Sequence, residues 1–144
     1  MQRIMADTNA LIRYFGIQMP AAQGKLSLKA KQFLEKAQNN KAALFISSLS
    51  ILEIWSNVEY SETSPAILIN FLKLLKSFDT IRIVDISDDL MPVYAELLDN
   101  KYLLEHDRII YATAISFDCK VFITTDEDIL KYNEISNDRM EIIS

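Results

Sequence analysis

Apolar positions in this chain follow two spacings. Arg3-Ile4-Met5-Ala6-Asp7, Leu44-Phe45-Ile46-Ser47 and Val121-Phe122-Ile123-Thr124 are short, nearly continuous apolar runs that read as buried strands. Thr80-Ile81-Arg82-Ile83-Val84-Asp85 is β-rich and partly alternating, and Met140-Glu141-Ile142-Ile143 is a fifth strand. Helical spacing fills the intervals. Leu28, Phe33, Leu34 and Ala37 mark a helix within Ser27 to Asn39. Ser48 or Ser50 is expected to cap a helix through Ile51, Leu52, Ile54 and Trp55. Ser64-Pro65 opens a helix from Ala66 to Ser77, with proline at its favoured first-turn position. Ser87 or Asp88 caps Leu90 to Leu98. Glu105 to Phe117 is a further helix, slimmed by Ala112, Thr113 and Ala114, and a short helix follows Asp126.

Strands alternating with helices predict an α/β fold: a parallel sheet covered on both faces. In such sheets the ligand site lies beyond the carboxyl ends of the strands, where the strand order reverses. Asp7 and Asp126 each stand just past the end of an apolar strand, so this rule places both at the site. The chain of 144 residues, with no repeat, low-complexity tract or evident linker, reads as a single domain over residues 1–144. A domain of that size buries about 68–70% of its unfolded surface, enough to fold without disulfides.

Composition narrows the chemistry. Cys119 is the only cysteine, which rules out an intrachain disulfide, and with one histidine it cannot build the usual zinc site. A reducing cytoplasm is the expected compartment. The N-terminus shows no secretory pattern, and no apolar run nears the ~18 residues a membrane span needs. The net charge of −5 argues against a general polyanion binder. It leaves room for a nuclease, because metals compensate a carboxylate site. Lys25, Lys29, Lys31, Lys36 and Lys41 form a locally basic stretch that reads as a solvated helix face.

The carboxylates carry the candidate chemistry. Asp7, Glu53, Asp107 and Asp126 are predicted to share one end of the sheet, with Asp128 two residues beyond. Like charges at ~4 Å repel by roughly 4 kcal/mol at an effective dielectric near 20. Divalent cations relieve this at neutral pH, and oxygen-only ligands point to Mg²⁺ or Mn²⁺. Such ions activate water for in-line attack on a phosphodiester. Singly, each acid has a plainer reading: Asp7 as a helix cap, Glu53 as solvent-facing, Asp107 and Asp126 as helix-dipole carboxylates, Asp128 as a cap. Their shared sheet end is what makes them a site. Asn9 and Thr125 fit supporting roles, holding carboxylates or a water, and fit equally as turn or capping residues. His106 reads as a surface or capping residue, Arg108 as a surface ion pair, and Cys119 as a small core residue. Trp55, Tyr14, Phe15 and Tyr60 read as core or as a dimer surface.

Met5-Ala6-Asp7-Thr8-Asn9, Ser50-Ile51-Leu52-Glu53, His106-Asp107-Arg108-Ile109-Ile110-Tyr111-Ala112-Thr113-Ala114 and Ile123-Thr124-Thr125-Asp126-Glu127-Asp128 together resemble the successive motifs of PIN domains. The likeness is greatest to VapC-type toxins of prokaryotic toxin–antitoxin pairs. A lone Asp-Thr-Asn is a weak signal, whereas four motifs in order across nearly the whole chain are a strong one. The resemblance implies a three-layer α/β/α fold with a parallel sheet of about five strands. It implies an endoribonuclease dependent on Mg²⁺ or Mn²⁺, with Asp7, Glu53, Asp107 and Asp126 as its acidic residues. Asp128 falls at a position that is often acidic, and Asn9 and Thr125 at supporting positions. It also implies an RNA substrate, a cognate antitoxin that occludes the site, and a homodimer.

Other classes fit less well. A haloacid-dehalogenase-like phosphatase needs a second Asp where Asn9 stands, and a receiver domain needs an acceptor context that Asp85-Ile86-Ser87 lacks. Dinucleotide binding needs a glycine-rich turn after the first strand, and Gly16 and Gly24 are the only glycines. Two readings stay open beside the toxin: a PIN nuclease of RNA processing or DNA, and a non-catalytic PIN-like module binding RNA or protein.

Overall fold

The computed structural model describes residues 1–16, 26–58, 65–99, 101–135 and 140–144. The five apolar runs become β1 (Gln2–Ala6), β2 (Ala42–Ser47), β3 (Ile81–Val84), β4 (Val121–Ile123) and β5 (Glu141–Ile143). They form one sheet in the order β3-β2-β1-β4-β5, with every pair parallel. Successive strands step outward from β1 to β3, and the chain then returns to the other side of β1. The reversal therefore falls between β1 and β4.

Alternation along the strands builds two cores. Ile4, Ala6, Leu44, Ile46, Val121 and Ile123 face one layer of helices, and Met5, Phe45 and Phe122 face the other. The first layer is α1 (Thr8–Phe15), α2 (Leu28–Gln38), α3 (Ser48–Val58) and α4 (Pro65–Lys76). A 3-10 turn (Asp88–Leu90), α5 (Met91–Glu96), α6 (Glu105–Ser116) and α7 (Glu127–Ile135) make the second. This is the expected three-layer α/β/α arrangement with a five-stranded parallel sheet. Because helices cover both faces, the strands read as apolar runs rather than as alternating ones.

Local signals explain most helix ends. Ser27 caps α2 by accepting the Ala30 N–H at 3.1 Å, as its sequence position predicts. The cap of α3 is neither Ser48 nor Ser50. Strand β2 runs straight into the helix, so Ser47, the last strand residue, accepts the Leu49 N–H at 3.2 Å. Ser87 has the extended backbone of a cap but makes no capping bond, and the segment starts as a 3-10 turn that Met91 converts to helix. Helix α1 was legible only as a possible cap at Asp7. Gly16 closes it at φ +69°, a left-handed conformation that glycine takes without a Cβ penalty.

Lys29, Lys31, Lys36 and Lys41 are exposed, as a solvated face requires, and Lys29 pairs with Glu141 at 2.6 Å. Tyr14 and Phe15 pack edge to face, partly buried against the first core, while Trp55 lies exposed beside Leu52. Lys25, Tyr60 and Ser64 lie outside the described residues. Among the described residues no helix is long and apolar enough to cross a membrane.

Candidate active site

Asp7 is the first residue past β1, held by the end of β4 on one side and by the start of α1 on the other. Its N–H donates to the Ile123 carbonyl of β4 at 3.1 Å. Its Oδ1 accepts the Ala10 N–H at 2.9 Å, which caps α1. Its Oδ2 accepts a hydrogen bond from the Thr124 hydroxyl. The residue is only 7% exposed. Burial pushes the carboxyl up to about 6; the bonds from Thr124 and Ala10 pull it back, and Asp126 and Glu53 raise it further by repulsion.

Glu53 reaches this region from α3. The Thr8 hydroxyl donates to its Oε1 at 3.1 Å, tying the first turn of α1 to the middle of α3. Partial burial raises its pKa, while Thr8 and the neighbouring His106 oppose the rise. His106 Nδ1 stands 3.9 Å from Glu53 Oε2, beyond hydrogen-bond range.

Asp107 arrives on the first turn of α6, where a carboxylate suits the helix dipole. Its carboxyl is nevertheless pushed up to about 7. Burial is the largest cause, followed by repulsion from Asp126, Asp7 and Glu53 and by a hydrogen bond with the Asp126 side chain. A hydrogen bond between two carboxyls needs one proton, and the raised Asp107 carboxyl supplies it. Asp126 follows β4 and caps α7, its Oδ1 accepting the N–H of Asp128 at 2.8 Å and of Ile129 at 3.3 Å. Its own N–H donates to Thr124 Oγ1 at 3.0 Å. The four acids from four separate segments therefore interact with one another at the strand-order reversal, and several hold capping bonds at the same time.

The supporting residues differ from the sequence expectation by one position each. Asn9 and Thr125 are half-buried, and among the described residues neither side chain bonds to the four acids. Thr8 and Thr124 do so instead. The hydroxyl-bearing residue beside each Asp was visible in sequence, but which neighbour turns inward is set by the helix start at Thr8 and the strand end at Ile123. Asp128 is half-buried, and among the described residues its carboxylate makes no contact with the other acids. Arg108 donates to the Leu103 carbonyl at 2.7 Å and lies over the Tyr94 ring at 5.7 Å. Cys119 is a core residue whose thiol burial pushes up to about 12, which leaves no reactive thiolate at neutral pH.

As the side chains stand, no three Asp, Glu, His or Cys among the described residues close into a metal-holding group. Asp7, Glu53 and Asp126 spend oxygens on Ala10, Thr8, Thr124 and the start of α7 instead. The donor set still fits a hard divalent cation: it is all oxygen, mutually repelling and partly protonated, and a cation replaces the shared proton as the compensating charge. A buried hydroxyl without a partner, Ser50 Oγ, lies one helical turn before Glu53.

The sequence matches the family model described as PIN domain over residues 4–135. No curated protein matches it in sequence. The chain is similar in structure to VapBC2 of Rickettsia felis bound to a promoter DNA fragment, with a TM-score of 0.68 and 21% identity, covering 99% of this chain and 100% of that one. It is similar also to a toxin–antitoxin complex of Klebsiella pneumoniae, with a TM-score of 0.54, 24% identity and coverage of 85% and 88%. VapC20 of Mycobacterium tuberculosis, described as a toxin cleaving the Sarcin-Ricin loop, matches with a TM-score of 0.53, 14% identity and coverage of 83% and 86%.

Proposed function

The chain belongs to the PIN domain family, and from that premise we propose that it is a metal-dependent endoribonuclease, the toxin of a type II toxin–antitoxin pair. The observation that carries this reading is the electrostatic coupling of Asp7, Glu53, Asp107 and Asp126 at the strand-order reversal, with the Asp107 carboxyl pushed up to about 7 by burial and then by its acidic neighbours. Such an assembly is costly to the fold and has no use in a module that only binds RNA or protein. The structural neighbours support the toxin assignment, since they include VapBC2, a toxin–antitoxin complex and a Sarcin-Ricin loop cleaving toxin.

Asp7, Glu53, Asp107 and Asp126 are the residues that hold Mg²⁺ or Mn²⁺ in this reading. Asp128 is an outlying fifth acid, and Asn9 and Thr125 border the site. Bound there, the cation supplies an activated water and charge stabilisation for cleavage of a phosphodiester. Thr8 and Thr124 fix the carboxylate rotamers by hydrogen bonds that survive loss of the shared proton, since both hydroxyls donate. The acidic net charge keeps bulk RNA affinity low, so specificity rests on the site and on local contacts. The partners proposed are RNA, a cognate antitoxin and a second copy of the chain. The compartment proposed is the cytoplasm, where the single buried Cys119 stays reduced.

A cleavage assay tests this. Purified protein, incubated with transfer, ribosomal and messenger RNA, should cut only when Mg²⁺ or Mn²⁺ is present. The Asp107→Asn protein should lose at least about a hundredfold in rate while remaining folded. Cutting that persists in excess chelator, or an Asp107→Asn protein as active as the wild type, removes the proposal.

A further inference from the structure

Hydroxyl side chains in the helices of this protein have a habit. Ser56 donates to the Leu52 carbonyl at 2.8 Å, Thr113 to Ile109 at 2.7 Å, and Ser77, at the end of α4, to Leu74 at 2.6 Å. Bonding back along the helix is the ordinary fate of such groups. Ser50, in the first turn of α3, has no helical turn before it to bond back to. It is 0% exposed, and among the described residues its Oγ meets no donor or acceptor. A buried hydroxyl left in that state destabilises the fold, because it has lost its water and gained no partner. Alanine would serve the fold better.

The position of Ser50 explains what the hydroxyl is for. Leu49 packs towards the second core, and Ile51 and Ile54 into the first. Around the helix, Ser50 falls between these two faces. Glu53 follows at i+3, on the adjoining flank of the helix. Continuing the β1–β2 register from Met5↔Phe45 brings Asp7 level with Ser47, one turn before Ser50. The first turn of α1 is tied to this part of α3 by the Thr8–Glu53 bond. The orphaned oxygen thus sits on the helix that carries one site carboxylate, one turn beyond the level of another.

We propose that Ser50 is a positioning residue of the metal centre, its hydroxyl hydrogen-bonding to the hydrated divalent cation carried by Asp7 and Glu53. The inference rests on the reading of the acidic cluster as a metal site. Mg²⁺ and Mn²⁺ of this kind keep part of their hydration shell, and those waters need acceptors on the protein side. Ser50 supplies a neutral one, where a further carboxylate would add repulsion.

Calorimetric titration of Mn²⁺ into the wild-type, Ser50→Ala and Ser50→Thr proteins, with metal-free thermal melts of each, tests it. Ser50→Ala should weaken Mn²⁺ binding about tenfold or more, while its metal-free melt stays equal to the wild type or rises. Ser50→Thr keeps the hydroxyl and should restore most of the affinity; should its extra methyl prevent folding, the alanine protein decides alone. Wild-type affinity in Ser50→Ala overturns the proposal, as does an affinity loss that comes with a markedly lower metal-free melt. A wild-type protein that binds no Mn²⁺ overturns the metal site itself and Ser50 with it, whereas normal wild-type binding with an unaffected Ser50→Ala overturns Ser50 only.

Discussion

Thr124 touches two site residues at once. Its hydroxyl donates to Asp7 and its oxygen accepts the Asp126 N–H, so one side chain opposes the burial-driven rise of the first acid and fixes the backbone entry of the last. Removing the hydroxyl by Thr124→Val withdraws the largest influence that holds the Asp7 carboxyl down from its burial-raised value. The expected result is Mn²⁺ affinity about tenfold lower at pH 7, with a still larger deficit at pH 6, where protons compete harder. Titration at both pH values checks this, and equal affinity in the two proteins would show that Thr124 does not govern Asp7. The four acids themselves were legible as neighbours because Asp7 and Asp126 follow strands, Asp107 opens a helix, and Glu53 lies in the helix that follows β2. The hydroxyls that hold them were not. A register shift of one residue reverses which way a side chain faces at a strand end, and neither Thr124 over Thr125 nor Thr8 over Asn9 can be chosen before the element boundaries are known.

Among the elements, α1 shows what limited the reading most. Its eight residues carry an apolar face of Ala10, Leu11 and Ile12, too short a pattern to separate from the strand before it. Its ends are nonetheless strongly specified, by Asp7 at the start and Gly16 in the left-handed conformation at the end. Nothing lies within 4 Å of a Cβ built on Gly16, so Gly16→Ala tests backbone strain without a clash. It should cost about 1 kcal/mol, lowering the melt by roughly 2–4 °C, with metal affinity unchanged. An unaltered melt would mean that α1 can end without the left-handed turn. The cap of α3 was misplaced in sequence for a related reason: β2 and α3 adjoin without a loop, so the last strand residue does the capping. The longer elements α2, α4 and α6 were readable almost to their ends, because eleven or twelve residues sample the helical period several times.

For the molecule as a whole, the raised carboxyls set a pH dependence of stability. Asp7 and Asp107 keep their protons in the folded chain up to about 6 and about 7, whereas the unfolded chain releases them near the ordinary value of 3.8. Folding takes up protons in that window. Their contribution is therefore fully present below about pH 4 and is lost as pH rises through 6 to 7. Metal-free protein should melt at a lower temperature at pH 7.5 than at pH 5, and Asp107→Asn should flatten the difference and raise the melt at pH 7.5. A melt that climbs with pH in wild-type protein without metal would contradict the shared-proton arrangement. The sheet order was only partly foreseeable: alternating strands and helices imply parallel pairing, but nothing local in β4 announces that it returns to the free side of β1. That return has a consequence in time. The Asp7–Thr124 bond joins positions 117 residues apart, and β1 has only one strand neighbour until β4 is made. During synthesis, Asp7 leaves the ribosome long before Asp126 is made. The cluster therefore stays incomplete in the growing chain until β4 and the start of α7 have emerged and joined β1.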